Sequence, residues 1–177
     1  MKQVLILRHG NWDLKVDQLT AQAKTNAQAL KTKLPAFAKV ISSPWGRATE
    51  TAQLLSGNVP ATDARVSFPA LGAEISSQIA LARRTHPQGI GGTIFAIPAA
   101  REPYRQQAIL FLELVKETFG TIKEGEVALV VSHEGIMLAL EKLLDNSTFE
   151  GIDHTIGELE GFYLDDQLNQ TPFKPSA

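Results

Sequence analysis

The chain has 177 residues, 44% hydrophobic and 20% charged, the balance expected of a soluble globular protein long enough for one domain and a real core. A net charge of −2 argues against a general nucleic-acid footprint, and the lack of cysteine excludes disulfides, thiolate catalysis and Cys-ligated metals. No apolar run approaches the roughly 20 residues that span a bilayer, and Met1-Lys2-Gln3-Val4 leads into a strand pattern without the shape of a signal peptide, so the expected location is cytoplasmic.

In chain order, Val4-Leu5-Ile6-Leu7 is a continuous apolar run, the pattern of a strand covered on both faces, and it ends in Arg8-His9-Gly10. Asn11 to Leu19 reads as loop. Thr20 can cap a helix to about Leu34, with Ala23, Ala27, Leu30 and Leu34 on one face, and Pro35 stops it. Lys39 to Ser42 is a short second strand. Ser43-Pro44, a hydroxyl followed by proline, predicts a helix start with Pro44 at the first helical position. That helix carries Arg47 and Glu50 and ends near Gly57. Arg65 to Phe68 is a candidate short strand. Residues 69–100 are punctuated by Gly and Pro around a helical stretch near Ser76 to Arg84, and are expected to form a lid or insertion.

Pro103 to Phe119 reads as a helix, with Ala108, Leu112, Val115 and Phe119 aligned. Val127 to Val131 is the second continuous apolar run. It ends in Ser132-His133-Glu134-Gly135, and a helix follows through Ile136, Leu140 and Leu143. Glu158 to Leu164 is a candidate last strand at an edge, and residues 169–177 read as a loose tail. No repeat or linker divides the chain. The alternation predicts an α/β fold: a three-layer α/β/α domain over residues 1–177, with a mostly parallel central sheet and a candidate antiparallel edge strand.

Three segments share one design of strand, sharp turn and helix: Leu7-Arg8-His9-Gly10, Ser42-Ser43-Pro44-Trp45-Gly46-Arg47 and Val131-Ser132-His133-Glu134-Gly135. In a doubly wound sheet with right-handed crossovers these turns lie along one edge, so two arginines and two histidines can share a pocket. The helix starts there would add N–H groups that favour an anion. A phosphoryl group fits this set. Arg8 and Arg47 supply planar forks, neutral His9 can attack phosphorus, and His133 can stabilise the transferring oxygens. An alkoxide leaving group also needs a proton, and the candidate acids are Glu74 and Glu134.

With Arg8-His9-Gly10, Ser43-Pro44-Trp45-Gly46-Arg47-Ala48-Thr49-Glu50-Thr51-Ala52 and Ser132-His133-Glu134-Gly135 in this order, the chain resembles the histidine phosphatase superfamily, or phosphoglycerate mutase-like family, from Val4 to about Leu164. The resemblance implies one phosphoglycerate mutase-like domain and a metal-independent phosphomonoester hydrolase without cofactor. It implies His9 as the phosphorylated nucleophile, with Arg8, Arg47 and His133 holding the phosphoryl group and Asn11, where many relatives have Glu or Gln, as a further phosphate contact. Leu71-Gly72-Ala73-Glu74 approximates the family's mid-chain acid segment, which favours Glu74 as general acid. Glu134 occupies the position of the acid in the acid-phosphatase branch and is the alternative. The resemblance also implies that mutases are longer, which favours a phosphatase. The expected partner is a small phosphorylated substrate or a phosphohistidine protein, with no nucleic acid and no membrane; the oligomeric state is unassigned. A phosphohistidine-protein phosphatase, a phosphoglycerate mutase-type phosphotransferase and a phosphate-binding module with weak or no turnover are the alternatives.

Each residue also has a plainer reading. Arg47 could pair with Glu50 on a solvated helix face, Glu134 could simply favour a helix N-terminus, and Glu74 could be an exposed loop carboxylate. Trp45 is either a substrate wall or a packed aromatic. His86, His154 and the Asp165-Asp166 pair read as surface, and Gly89-Ile90-Gly91-Gly92 as a turn lacking the Lys-Ser/Thr of a phosphate loop.

Overall fold

The first apolar run forms β1 (Gln3–Arg8), whose residues Val4 to Leu7 have no exposed surface. The computed structural model describes residues 1–85, 90–150, 152 and 154–175, with 83–85 and 90–92 described by backbone alone. After β1, the segment expected as loop folds into a small hairpin, β2 (Trp12–Asp13) against β3 (Gln18–Leu19). Helix α1 (Ala21–Lys31) starts where predicted, because the Thr20 hydroxyl accepts from the Ala23 N–H at 3.2 Å. Then come β4 (Phe37–Ser42), α2 (Gly46–Ser56) and β5 (Ala61–Thr62).

The strand expected at Arg65 to Phe68 is instead a 3-10 turn over Ala64–Val66. Asp63 explains the difference: its carboxylate accepts from the Arg65 N–H at 2.9 Å and diverts the backbone from a ladder into a turn. The 69–100 segment contains α3 (Ala73–Thr85) and α4 (Ile90–Phe95). His86 and Gly89 lie outside the described residues. Helix α5 (Pro98–Thr121) begins before the expected Pro103, which sits inside it and removes one intrahelical hydrogen bond. Ala100 and Tyr104 are buried on either side of that proline, and their packing offsets the loss.

Strand β6 (Val127–Ser132) and helix α6 (Glu134–Leu144) follow as expected. Every residue of α6 from Glu134 to Leu140 is buried, so the helix is covered on all sides. The last expected strand is β7 (Gly161–Asp165), and it is not an edge. The tail expected to be loose supplies β8 (Gln170–Phe173), which pairs antiparallel with β7. A tight turn makes this pairing local: Asp165 accepts from the N–H groups of Gln167 and Asn169 at 2.9 and 2.8 Å.

The six-stranded sheet runs β5-β4-β6-β1-β7-β8, parallel from β5 to β1 and antiparallel beyond. Strand residues alternate between two cores. Val4, Ile6, Ile41 and Val130 face α5 and α6, whereas Leu5, Leu7, Val40 and Val131 face α1 and α2. This is the three-layer α/β/α arrangement. Each fully buried Leu, Ile or Val contributes about 1.5–3 kcal/mol, so both faces hold the sheet rigid beneath the turns. Among the described residues no helix is long and apolar enough to cross a membrane.

Candidate active site

Strand order brings the three turns together. β6 lies between β1 and β4, with Arg8 opposite Ser132 and Ser42 opposite Val131. The ladder continues one residue past each strand. The His9 N–H donates to the Ser132 carbonyl at 3.1 Å, and the Ser43 N–H to the Val131 carbonyl at 3.0 Å. All three turns therefore leave the sheet side by side. They open a cavity of ≈ 240 Å³ that includes Arg8, His9, Arg47, His133 and Glu134 in its lining, with Trp12, Trp45 and Phe68 as aromatic walls.

His9 and His133 are 6% and 1% exposed, with ring centroids 5.0 Å apart. His9 Nδ1 lies 2.8 Å from the Gly10 carbonyl, so Nδ1 carries the hydrogen and donates it. Its Nε2 accepts from Arg47 Nε at 3.1 Å. This assigns the neutral tautomer with the Nε2 lone pair directed at a cation. Burial pushes the His9 pKa down to about 4. The Gly10 hydrogen bond opposes that shift, and the Arg47 and Arg8 charges add to it. Burial also holds His133 well below the ordinary range, aided by His9, Arg47 and Arg8. Both rings are uncharged at neutral pH.

His133 stacks on Phe68, with centroids 4.2 Å apart and planes 30° from parallel. Its Nε2 is 2.7 Å from the Ser43 hydroxyl. This corrects the expected helix start. Ser43 is not the cap of α2; the helix begins at Gly46 with Trp45 at the cap position and no side-chain cap bond. The Ser43 backbone still follows the sheet, which leaves its hydroxyl free to orient His133.

Arg47 is 4% exposed and tightly held. Its guanidinium carbon lies 4.0 Å from the Trp12 ring centre and 4.9 Å from that of Trp45. Its Nη1 forms a short ion pair with Asp17, and the other Asp17 oxygen accepts from the Gly46 N–H at 2.7 Å. One carboxylate thus anchors both the arginine and the start of α2. The close approach requires glycine, since a Cβ on Gly46 would lie 2.4 Å from the Asp17 carbonyl oxygen. Asp17 itself adopts a left-handed φ of 51°, a conformation Asp tolerates. Sequence reasoning missed Asp17. It lies in a polar hairpin, and no local pattern links it to Arg47. Glu50, the expected alternative partner, is taken by Lys24 at 2.7 Å and by the Leu19 N–H. Thr51 ties the first turn to α2 by accepting from the Gly10 N–H and donating to the Arg47 carbonyl.

Arg8 donates from Nη1 to the Ile156 carbonyl at 2.6 Å and lies 3.1 Å from Glu134 Oε2. The second contact is an ion pair without hydrogen-bond alignment. Both Glu134 oxygens and His133 Nδ1 are buried without a hydrogen-bond partner among the described residues. An unpaired buried polar group costs about 1–3 kcal/mol, which the charge of Arg8 offsets for Glu134. The two candidate acids are separated by the fold. Glu134 lines the cavity and is 2% exposed, whereas Glu74 sits on the exposed first turn of α3, outside the lining. Asn11 is also exposed and outside the lining; its Oδ1 accepts from the Trp12 N–H at 2.8 Å. His154 contacts Glu141 at the surface.

Fold and site together define a three-layer α/β protein with an arginine- and histidine-lined cavity at the C-terminal edge of its parallel strands. Among solved structures the chain is similar to Bacillus stearothermophilus YhfR, with 21% identity, a TM-score of 0.70 and coverage of 97% of this chain and 95% of that one. It is similar to a mycobacterial glucosyl-3-phosphoglycerate phosphatase in complex with VO3, with 21% identity, a TM-score of 0.68 and 98% of each chain covered. A mutant Entamoeba histolytica phosphoserine phosphatase in complex with phosphoserine matches with 17% identity, a TM-score of 0.68 and coverage of 98% and 96%. No protein-family model and no curated protein matches the sequence. The three-layer α/β/α fold expected from the sequence is therefore shared with these solved structures.

Proposed function

We propose that this chain is a phosphatase of the histidine phosphatase superfamily, hydrolysing phosphomonoesters without a metal through a phosphohistidine on His9. One observation carries this reading: an uncharged His9, its Nε2 lone pair oriented by Arg47, in a cavity also lined by Arg8 and His133. The folds of a glucosyl-3-phosphoglycerate phosphatase and a phosphoserine phosphatase support it.

The substrate phosphoryl group enters between Arg47 and His9 and receives hydrogen bonds from both guanidinium groups. His9 Nε2 attacks phosphorus. The P–N bond forms as the ester P–O bond breaks, with its electron pair leaving on oxygen. That oxygen takes a proton from a carboxylic acid. Glu134 is assigned this role over Glu74 because it stands in the cavity wall, and it donates in its protonated form once Arg8 has turned from it to the phosphoryl group. Water then attacks the phosphohistidine and gives its proton to the same carboxylate. His9 is released as a neutral ring with phosphate as the product.

The test is His9→Ala. Hydrolysis of p-nitrophenyl phosphate should vanish, while far-UV circular dichroism and quenching of the two cavity tryptophans by vanadate persist. Wild-type turnover in the variant rules out a phosphohistidine at this position.

A further inference from the structure

The lining of the catalytic cavity divides into a floor and a rim. His9, Arg47, His133, Glu134 and Gly135 are buried and form the floor, which takes the phosphoryl group. Arg8, Trp12 and Phe68 are partly exposed and Trp45 is 44% exposed, so these side chains form the rim toward solvent. Apart from Arg8 the rim is aromatic. The rest of a substrate held by its phosphoryl group leaves through that rim.

Trp45 is the most exposed of the rim residues and is nevertheless fixed. Its Nε1–H donates to the hydroxyl of buried Ser67 at 3.0 Å. Phe68 meets it edge-on, with ring centroids 6.1 Å apart and planes at 71°. The Arg47 guanidinium carbon lies over the indole, 4.9 Å from its centre. Trp45 occupies the cap position of α2 but makes no side-chain cap bond, so helix capping does not account for it. With its one polar hydrogen already bonded, the indole offers ring carbon to whatever enters. An apolar surface laid on that carbon removes both from water. A ring already held in place loses little rotamer freedom when a ligand packs on it.

Resting on the phosphatase reading above, we infer that Trp45 is the leaving-group platform of this cavity, and that its substrates are small phosphomonoesters whose ester oxygen bears a planar aromatic ring, directly or through a methylene. The floor supplies the charge and Trp45 supplies the face. The cavity of ≈ 240 Å³ lies below the roughly 300–1,000 Å³ that takes drug-sized ligands, which sets the scale of the ester. A planar ring gains from the indole both the area removed from water and the stacked or edge-on attraction between two π systems. A saturated ring of similar size gains only the area. Trp45 is thus a specificity-determining residue that separates aromatic from aliphatic esters, while the charged floor treats both alike.

The test uses phosphonates, which cannot turn over and so separate binding from leaving-group acidity. Calorimetry would compare benzylphosphonate, cyclohexylmethylphosphonate and methylphosphonate. The benzyl compound should bind the wild-type protein about threefold or more tightly than the cyclohexylmethyl compound, and about tenfold or more tightly than the methyl compound. Trp45→Leu should erase the preference for the planar over the saturated ring. Trp45→Phe, which restores a ring without the bond to Ser67, should recover part of it. Each preference is a ratio within one protein, so a general loss of affinity through the contact with Arg47 cancels. Equal wild-type affinity for the benzyl and cyclohexylmethyl compounds overturns the platform. So does a preference that survives Trp45→Leu, or a Phe variant no more selective than the Leu variant. Absence of hydrolysis of every phosphomonoester overturns the reaction instead, and the phosphonate ranking would still be readable.

Discussion

The burial of His9 makes the stability of the fold depend on pH in a defined window. The ring titrates near its ordinary value of 6.5 when unfolded and at about 4 when folded. Between those values the unfolded chain binds the extra proton, so acid favours unfolding. The His9 contribution is fully present above the unfolded pKa and is lost as pH falls through the folded one. The whole loss is about 3 kcal/mol, of which about 2 kcal/mol falls between about pH 7 and pH 5. His133 shifts the same way and adds to the slope. The perturbation is His9→Asn, which keeps a donor near the Gly10 carbonyl and removes the titration. Urea unfolding of both proteins, followed by far-UV circular dichroism at the two pH values, isolates the His9 share. The wild type should lose about 2 kcal/mol more than the variant on acidification. Circular dichroism is the right probe, because Trp12 and Trp45 both line the cavity and their fluorescence reports the site. Equal losses in the two proteins would mean that His9 is not held neutral by burial, and the nucleophile argument would go with it.

Glu134→Gln should slow hydrolysis of an alkyl ester such as glycerol phosphate by about 10²–10⁴, and of p-nitrophenyl phosphate far less, because nitrophenolate leaves without a proton. Glu74→Gln should change neither rate, and the reverse pattern would move the acid to α3. Asp17→Asn removes one partner of a pair whose arginine side chain is 5% exposed and whose aspartate is 30% exposed. The partial exposure reduces the cost of a broken buried pair to about 1–3 kcal/mol, read as a lower urea midpoint. An unchanged midpoint would show that the ring contacts of Trp12 and Trp45 hold Arg47 without Asp17.

The sequence by itself determined the elements whose stability is local or whose burial is complete. The two continuous apolar runs, Val4–Leu7 and Val127–Val131, could be stable only as interior strands. Thr20 and the 3.6-residue spacing after it defined a helix start, and the three short turns set out in order the arginines and histidines that line the cavity. Tertiary structure decided everything that depends on which remote groups become neighbours. The pairing of Asp17 with Arg47 follows from the hairpin packing on α2, and nothing near Asp17 encodes it. Ser43 left its expected capping role because its backbone extends the β4–β6 ladder, which turns the hydroxyl to His133. Local patterns carry backbone preferences measured over a few residues; side-chain partners across 30 to 90 positions depend on the packing of whole layers.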